Sequence, residues 1–312
     1  MSDQHERRAL LLALFVTVLW ASSWVIIRYG MDDEGLRPIT FAGLRYSTAA
    51  IVLIGVVASR PGARAAVRLL DRRQVVGLAV LGVILIAIAQ GAQFVALDNQ
   101  PAATTSLVLS MTPLLVALVA GVSLGEKATK RQIMGAALVA AGAVLYFSGS
   151  LAATSAGMAA ALVCLVANGA GSLLGRNVNR DLRRSPLVTT TVSMAFGAIV
   201  LLAAGFATEG VPTVSGRAWL FIGWLAVVNT AFAFTIWNHT MRHLTATESA
   251  AINNTMLVQI AILAWIFLGE RPSAIQVIGI LAVTFGITLG QRVGWRPRRD
   301  ADQPVPPTAG AR

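Results

Sequence analysis

Ten apolar stretches, each long enough to cross a bilayer, run through this chain almost from end to end. A helix rises 1.5 Å per residue, so about 20 apolar residues cross the roughly 30 Å of hydrocarbon. Backbone polar groups find no water there and must satisfy one another, which favours helices. The stretches lie at residues 9–29, 38–58, 74–97, 101–123, 131–148, 156–175, 186–206, 217–240, 245–268 and 273–291. We therefore expect an all-α integral membrane protein with ten transmembrane helices.

The composition excludes a soluble domain of the same length. Only 12% of the 312 residues are charged and 56% are hydrophobic, whereas a soluble domain carries roughly 25% charged residues. The net charge of +11 does not indicate a nucleic-acid partner, because the basic residues gather at the ends of the spans and in the tails. The only cysteine is Cys164, so no intrachain disulfide can form. We expect the lipid bilayer to surround the chain, and no nucleic acid to bind it.

The basic residues also predict the orientation of the chain. With the N-terminus in the cytoplasm, 20 of the 25 basic residues fall on the cytoplasmic side, and Arg45 lies within a span. The four on the other side are Arg28, Arg37, Arg217 and Arg271. The positive-inside rule therefore predicts a multi-pass protein of the plasma (inner) membrane with both termini cytoplasmic. We expect the first span to be retained rather than cleaved as a signal peptide, because its apolar run continues through Ile27.

An internal repeat is the most informative feature of the chain. The sequence Leu-Gly-Glu closes the fourth stretch at residues 124–126 and the ninth at 268–270, an offset of 144, and a Gln-x-x-Gly helix follows each. Pro38 opens the second stretch and Pro186 the seventh, at an offset of 148. Each half then has five spans, and an odd number forces the second copy to insert upside down. Inverted repeats are typical of alternating-access transporters, with the substrate site near the midplane.

The repeat divides the chain into three parts. We expect a first repeat in residues 1–149 with helices one to five, and a second, inverted repeat in residues 150–292 with helices six to ten. Residues 293–312 are expected to form a disordered cytoplasmic tail. Small residues spaced by four, Gly286 with Gly290 and Ala136 with Ala140, predict close helix packing or a dimer contact. A monomer and a homodimer both remain open.

Several motifs together resemble a known family. In chain order they are Leu-Trp-Ala-Ser-Ser at 19–23, Pro38 with Phe-Ala-Gly-Leu-Arg at 41–45, Pro113 before Gly125 and Glu126, Trp237 and Asn238 with Arg242, and Leu-Gly-Glu-Arg-Pro at 268–272. Their order, spacing and duplication resemble the EamA-type branch of the drug/metabolite transporter superfamily over about residues 9–291. The resemblance implies ten helices in two inverted sets of five, and export of metabolites, amino acids or drugs.

Arg45 is the sharpest candidate for a functional charge. It lies seven residues beyond Pro38, about 10 Å into the helix. A cation at that depth is costly unless it faces a cavity or a partner. It could anchor a carboxylate or another anion, or it could be a structural arginine that reaches the interface or neighbouring carbonyl groups. The repeat aligns it with Ser193, so any charge at this position is one-sided.

Three glutamates stand where spans begin or end. Glu248 begins the ninth span and could couple transport to protons or cations, or it could simply stabilise a helix N-terminus. Glu126 and Glu270 recur at equivalent positions, which predicts a packing or capping role. His239 and His243 lie one helical turn apart, but nothing completes a metal site around them apart from Glu248. We expect neither a metal nor a cofactor.

Polar and aromatic side chains inside the spans predict a cavity. Such groups cost free energy in lipid unless they meet partners or water, although they could also join helices together. We expect helices one, two, three, four, six, eight and nine to surround the cavity and helices five and ten to lie at the periphery. The predicted substrate-binding residues are Trp20, Ser23, Trp24, Arg45, Gln93, Trp237, Asn253 and Asn254.

These features favour a secondary transporter that exports a small-molecule substrate, an amino acid or similar zwitterion, by alternating access. Tryptophan faces, amides and one cation without a deep carboxylate suit a zwitterion better than a polycation. The alternative is efflux of cationic drugs by proton antiport. A polytopic membrane enzyme would need clustered carboxylates or a His/Asp pair. The sequence has no Asp-rich, Gly-x-Ser-x-Gly or phosphate-cradling motif, so we do not expect an enzyme.

Overall fold

The computed structural model of the chain describes residues 2–116, 119, 130–149, 153–181, 186–240, 244 and 246–291. Within them the chain is helical and contains no strand. The helices are α1 (Ser2–Asp32), α2 (Pro38–Ser59), α3 (Pro61–Arg68), α4 (Arg72–Asn99), α5 (Ala102–Ser110), α6 (Lys130–Phe147), α7 (Ser155–Asp181), α8 (Pro186–Glu209), α9 (216–240), α10 (Ala246–Leu268) and α11 (Ala274–Gln291). Each predicted apolar stretch overlaps one of these helices, and the end of the fourth stretch lies outside the described residues. The predicted tail at 293–312 lies outside the described residues.

Five helices are long and apolar enough to cross a membrane: Arg8–Asp32, Pro38–Ser59, Arg72–Asn99, Ser155–Gly175 and Pro186–Glu209. Shorter apolar helices follow the same pattern at Ala102–Val116, Ile133–Phe147, Ile252–Leu268 and Ala274–Gly290. The first of these consists of α5, a turn at Met111 and a further helical segment at residues 112–116. Pro113 lies in that segment and lacks a backbone donor. Among the described residues, helices without strands and with this apolar length match the requirements of an integral membrane protein.

The short helix α3 was not predicted from the sequence, which indicates only an arginine-rich loop. It begins at Pro61, whose fixed φ suits the first helical position. None of its residues is buried, and Arg64 and Arg68 are exposed. An exposed, arginine-bearing helix is distinguished from a loop only by local propensity, a weak signal beside the hydropathy that defines the spans.

The repeated Leu-Gly-Glu motif forms a helix C-cap in its second copy. Gly269 follows α10 with φ +68°, in the left-handed region that favours glycine. The N–H of Glu270 donates to the carbonyl of Ala264 at 3.2 Å, six residues back, and so satisfies one of the last carbonyl groups of the helix. The motif therefore ends α10 and aims the Glu270 side chain away from its own helix. The first copy, at 124–126, lies outside the described residues.

A π-helical turn interrupts both α4 and α9. It covers Val83–Ile88 in α4 and Val227–Phe232 in α9, and these ranges differ by the 144 residues that separate the two Leu-Gly-Glu motifs. In α4 the N–H of Ala89 donates to the carbonyl five residues back, and in α9 the N–H of Ala233 does the same. Isolated π turns are rare and occur mostly at functional sites.

Helices α6 and α11 pack against each other through glycines at equivalent positions of the two halves. A Cβ on Gly135 would stand 2.6 Å from the carbonyl oxygen of Gly286, and one on Gly142 would stand 2.7 Å from that of Gly279. The contacts are reciprocal, and the helices are antiparallel. Ala136 and the nearby Ala140 are exposed and take no part, so the predicted alanine pair does not make this contact.

The largest group of buried apolar residues joins α1, α2, α4, α8, α9 and α10. Phe41 and Phe94 meet edge to face within it, with ring centroids 5.4 Å apart. Glycines on α2 and α8 let these two helices come close, since a Cβ on Gly43 would stand 2.7 Å from the Cα of Leu202. This packed region is one wall of the cavity described next.

Candidate functional site

A cavity of about 620 Å³ lies between α1, α2, α4, α5, α7, α9 and α10. Its volume falls in the range typical of small-molecule sites. None of the described lining residues lies on α6 or α11, as expected for helices five and ten. The lining is Trp20, Ser23, Trp24, Arg45, Tyr46, Gln90, Gln93, Ser106, Leu109, Ser110, Thr112, Pro113, Val116, Asn168, Ser172, Asn229, Phe234, Asn253, Asn254, Met256, Leu257 and Ile260.

All of the predicted substrate-binding residues line this cavity except Trp237. The Trp237 ring packs beside it instead, 5.2 Å from the Trp20 ring by centroids and against a cluster that includes Ala13 and Ile252. Trp237 therefore supports a residue of the lining. The side chains of Glu248 and His239, and residue His243, lie outside the described part of the chain.

Arg45 is a buried cation in the cavity wall. The residue is 5% exposed, and its guanidinium carbon lies 5.0 Å from the ring centroid of Tyr46 and 5.9 Å from that of Phe94. Its Nε has no hydrogen-bond partner, and within the described residues it makes no ion pair. Ring faces attract a cation but do not accept its N–H groups as an oxygen does. Within the described residues, no carboxylate therefore balances the guanidinium charge.

Asn229 lines the cavity, although the sequence marks it only as one of several polar residues inside the spans and not as a predicted substrate-binding residue. It lies in the π turn of α9 and is 1% exposed. Its side-chain amide donates to the carbonyl of Leu19 and, at 3.4 Å, to Ser22 Oγ, while Trp20 Nε1 donates to its backbone carbonyl at 3.1 Å. Its Oδ1 is buried without a donor among the described residues. Hydropathy cannot reveal the unpaired Oδ1, because its lack of a donor depends on the hydrogen bonds that the amide nitrogen makes to α1.

Equivalent positions of the two repeats contribute to the lining with different side chains. At the offset of 144, Leu109 and Ser110 on α5 correspond to Asn253 and Asn254 on α10. At the offset of 148, Trp20 on α1 corresponds to Asn168 on α7. The positions that reach the cavity are thus shared, and the chemistry they bring is not. Within the described lining, the first half supplies the tryptophans and the cation, and the second half supplies all four asparagines.

One end of the bundle, where α4 ends and α5 begins, is held together by carboxylates. We refer to it as the Glu270 end. Glu270 accepts from the backbone N–H groups of Ala102 and Ala103 at 2.6 and 3.1 Å, which confirms its predicted capping role. Glu209 accepts from Ile39 and Thr40 at 3.0 and 2.7 Å. Each carboxylate of the second half therefore caps the first turn of a helix of the first half.

Further contacts close the same end. Arg217, in the first turn of α9, lies 3.4 Å from both Asp33 and Glu34, which follow α1. Tyr29 donates from its hydroxyl to the carbonyl of Phe267 at 2.6 Å. Burial raises the pKa of the Glu270 carboxyl, although the two backbone N–H groups and the charge of Arg28 act in the opposite direction. The Glu270 end is thus joined by both charged and neutral contacts.

The sequence pattern of the EamA-like transporter family matches the chain twice, at residues 7–148 and 155–290. The chain belongs to this family. A probable terminal-alkyne amino-acid exporter of Streptantibioticus cattleyicolor is 27% identical to it over 304 residues, covering 94% of this chain and 96% of the relative. The uncharacterized inner membrane transporter YedA of Escherichia coli is 26% identical over 294 residues and covers 89% of each chain.

Two further similarities agree with this family assignment. A probable amino-acid metabolite efflux pump of Escherichia coli is 24% identical over 293 residues, covering 90% of this chain and 94% of the pump. A solved crystal structure that is 20% identical superposes with a TM-score of 0.65 over 91% of this chain and 97% of that one, which shows the same fold. The protein is an integral, multi-pass membrane protein of a transporter family.

Proposed function

We propose that this transporter exports small organic zwitterions, amino acids or molecules like them, by alternating access. Arg45 carries the proposal: its buried guanidinium, without an ion pair in the described residues, lies in the wall of a cavity of about 620 Å³. A carboxylate matches the two-pronged geometry of a guanidinium and would compensate its charge. The relatives named as exporters of amino acids or their metabolites support the same substrate class.

Two inverted halves would provide the alternating access. The family matches the chain once in each half, the π turns recur at the same offset, and α6 meets α11 antiparallel and reciprocally. A reciprocal antiparallel contact is what a two-fold axis perpendicular to both helices produces. The contacts at the Glu270 end would close the cavity on that side, and opening would require Glu209 and Glu270 to release their partner helices.

Efflux of cationic drugs is the competing function. A cation site would be expected to contain a carboxylate, and the described cavity lining contains none. Glu248 would have to supply it from the side chain that lies outside the described residues. Arg45 would also repel a cation in the same cavity, where low polarity strengthens the repulsion. These charges favour the zwitterion.

Counterflow in proteoliposomes tests the substrate class. Vesicles loaded with an unlabelled amino acid should take up the same labelled amino acid, and a panel would include leucine, glutamate, lysine and tetraphenylphosphonium. We expect uptake of leucine and none of tetraphenylphosphonium. Transport of tetraphenylphosphonium alone would favour the drug-efflux alternative. Comparing flux with and without an imposed pH gradient separates proton antiport from facilitated diffusion.

Cysteine labelling tests the proposed orientation, with both termini cytoplasmic and the Glu270 end outside. Val211, between α8 and α9, is 77% exposed, and Arg64 is exposed on α3. In a background without Cys164, a cysteine at Val211 should react with an impermeant maleimide in intact cells. A cysteine at Arg64 should react only after permeabilisation. The opposite result would reverse the topology.

A further inference from the structure

The two π turns provide an internal comparison for Asn229. The turn of α4 reads Val-Ile-Leu-Ile-Ala-Ile, and that of α9 reads Val-Val-Asn-Thr-Ala-Phe. Leu85 occupies the position equivalent to Asn229. The same backbone irregularity therefore forms without any polar side chain. An amide buried among membrane helices costs free energy, so its presence in only one copy needs a reason other than the π turn itself.

The hydrogen bonds of Asn229 fix the direction of its amide. The N–H of Ala233 bypasses the Asn229 carbonyl and donates to Val228 and Thr230, which leaves that carbonyl for the indole of Trp20. The side-chain nitrogen donates to the Leu19 carbonyl and to Ser22 Oγ. Because the Leu19 carbonyl oxygen and Ser22 Oγ both accept these bonds, the amide nitrogen of Asn229 must face α1. The side-chain oxygen is therefore the end without a donor.

The hydroxyl groups of the cavity cannot supply that donor in the described structure. Each serine and threonine hydroxyl donates to a carbonyl of its own helix, as these residues commonly do in membrane helices, and the Tyr46 hydroxyl donates to Gln90 Oε1 at 2.8 Å. The bonds are Ser23 to Trp20, Ser106 to Ala103, Ser110 to Leu107, Thr112 to Leu109 and Ser172 to Asn168, with lengths between 2.6 and 2.9 Å. These hydroxyls present only lone pairs to the cavity. The serine and threonine part of the lining is therefore a set of acceptors.

We propose that the side-chain oxygen of Asn229 accepts a hydrogen bond from the ammonium group of the transported zwitterion, whose carboxylate binds Arg45. The inference rests on the function proposed above. An ammonium group has three N–H donors and no acceptor, so it suits a cavity in which the Asn229 oxygen has no donor and the serine and threonine hydroxyls offer lone pairs. A buried acceptor left unpaired is costly, and a bound ammonium group would remove that cost. Asn229 would then distinguish an amino acid from a plain carboxylic acid.

Leucine and two analogues that each lack one charged group test this subsite. The analogues are 4-methylpentanoate, which lacks the amine, and 3-methylbutylamine, which lacks the carboxylate. Leu109, Met256, Leu257 and Ile260 give the cavity an apolar wall suited to the shared hydrocarbon chain. In the parent protein we expect leucine to compete for its own counterflow at least about tenfold better than either analogue, from the strength of a charge-assisted hydrogen bond.

Two substitutions at one position separate the oxygen from the packing role of Asn229. Asn229→Leu and Asn229→Asp both remove the donors to α1, but only Asn229→Asp keeps an oxygen. We expect Asn229→Leu to lose the preference for leucine over 4-methylpentanoate and Asn229→Asp to retain it. Thr230→Val is the matched control, because Thr230 lies in the same π turn, is buried and does not line the cavity. Its preference should equal that of the parent.

The outcomes separate this inference from the proposed function. Leucine transport with equal competition by 4-methylpentanoate in the parent would overturn the ammonium subsite and leave export of zwitterions standing. So would an equal loss of preference in both Asn229 variants. If neither variant yields folded protein, the competition in the parent alone decides. Failure of the parent to transport any amino acid of the panel would overturn the proposed function and, with it, the subsite.

Discussion

The contact between α6 and α11 and the lining of the cavity use the internal repeat in opposite ways. In the contact, Gly135 and Gly279 occupy equivalent positions of the two copies, as do Gly142 and Gly286. Across the contact, Gly135 meets Gly286 and Gly142 meets Gly279. In the cavity, equivalent positions carry different side chains, such as Trp20 and Asn168. Both regions belong to the same repeat, but only the contact between α6 and α11 has the same residue type at equivalent positions of both copies.

The difference follows from what each region must do. Helices in lipid gain little from burying apolar surface, so α6 and α11 associate by close backbone contact, which glycine permits in both copies. A substrate with two unlike charged ends has no such symmetry. The cavity therefore needs a cation at one position without needing one at its equivalent, and Arg45 indeed aligns with Ser193. Substitutions that restore or remove a repeated residue test this division.

The largest effect is expected from Gly135→Leu in the symmetric contact. The new side chain would meet the backbone of Gly286, which cannot move aside as a flexible side chain could. Overpacking typically costs about 1–3 kcal/mol, and contact with backbone should bring the loss of stability to the upper end, about 3 kcal/mol. The control is Ala136→Leu on the exposed face of α6. Monodisperse yield and melting temperature measure both, and a normal melting temperature for Gly135→Leu would contradict the described contact.

The next effect concerns the asymmetric site. Arg45→Ala should weaken leucine transport about 10- to 100-fold, from the roughly 1.5–3 kcal/mol of a charged hydrogen-bonded contact. Ser193→Ala, at the equivalent position of the other half, should leave transport unchanged, because Ser193 Oγ donates only to carbonyls of its own helix. Arg45→Lys should restore part of the activity, since lysine keeps the charge but not the planar fork. Equal loss in Arg45→Ala and Ser193→Ala would refute the asymmetry of the site.

The sequence predicted the symmetric features of the molecule better than the asymmetric ones. Hydropathy and Pro38 place α2 to within a residue at its C-terminal end, and the polar residues that line the cavity stand out against apolar spans. Trp237 looks equally suited to a cavity, but its position depends on which face of α9 turns inward, and the π turn shifts that face. The orientation of the Asn229 amide depends on the Leu19 carbonyl, Ser22 Oγ and Trp20 Nε1 of α1. A local sequence pattern cannot predict these contacts between distant helices.

A smaller effect is expected at the Glu270 end. Glu209→Ala and Glu270→Ala each remove the acceptors of two backbone N–H groups, comparable to the loss of a helix cap, about 1 kcal/mol. The carboxylates cap different helices, α2 and α5, so their effects should add. Thr208→Ala is the control, because Thr208 Oγ1 donates only to its own helix. Unfolding monitored by tryptophan fluorescence would measure the losses, and a double variant no less stable than either single variant would argue against independent caps.

The smallest effect is the pH dependence contributed by Glu270. Burial is the largest influence on its carboxyl and raises the pKa above the ordinary value of 4.5, while the N–H groups of Ala103 and Ala102 and the charge of Arg28 lower it. With the folded pKa above the unfolded one, the folded state binds the proton more tightly. The resulting stabilisation is complete below pH 4.5 and is lost as the pH rises through the folded pKa. The parent should therefore gain stability relative to Glu270→Gln as the pH falls towards 4.5. The opposite slope would mean that the backbone donors and Arg28 outweigh burial, and that the cap binds the charged form of Glu270 more firmly than its buried position implies.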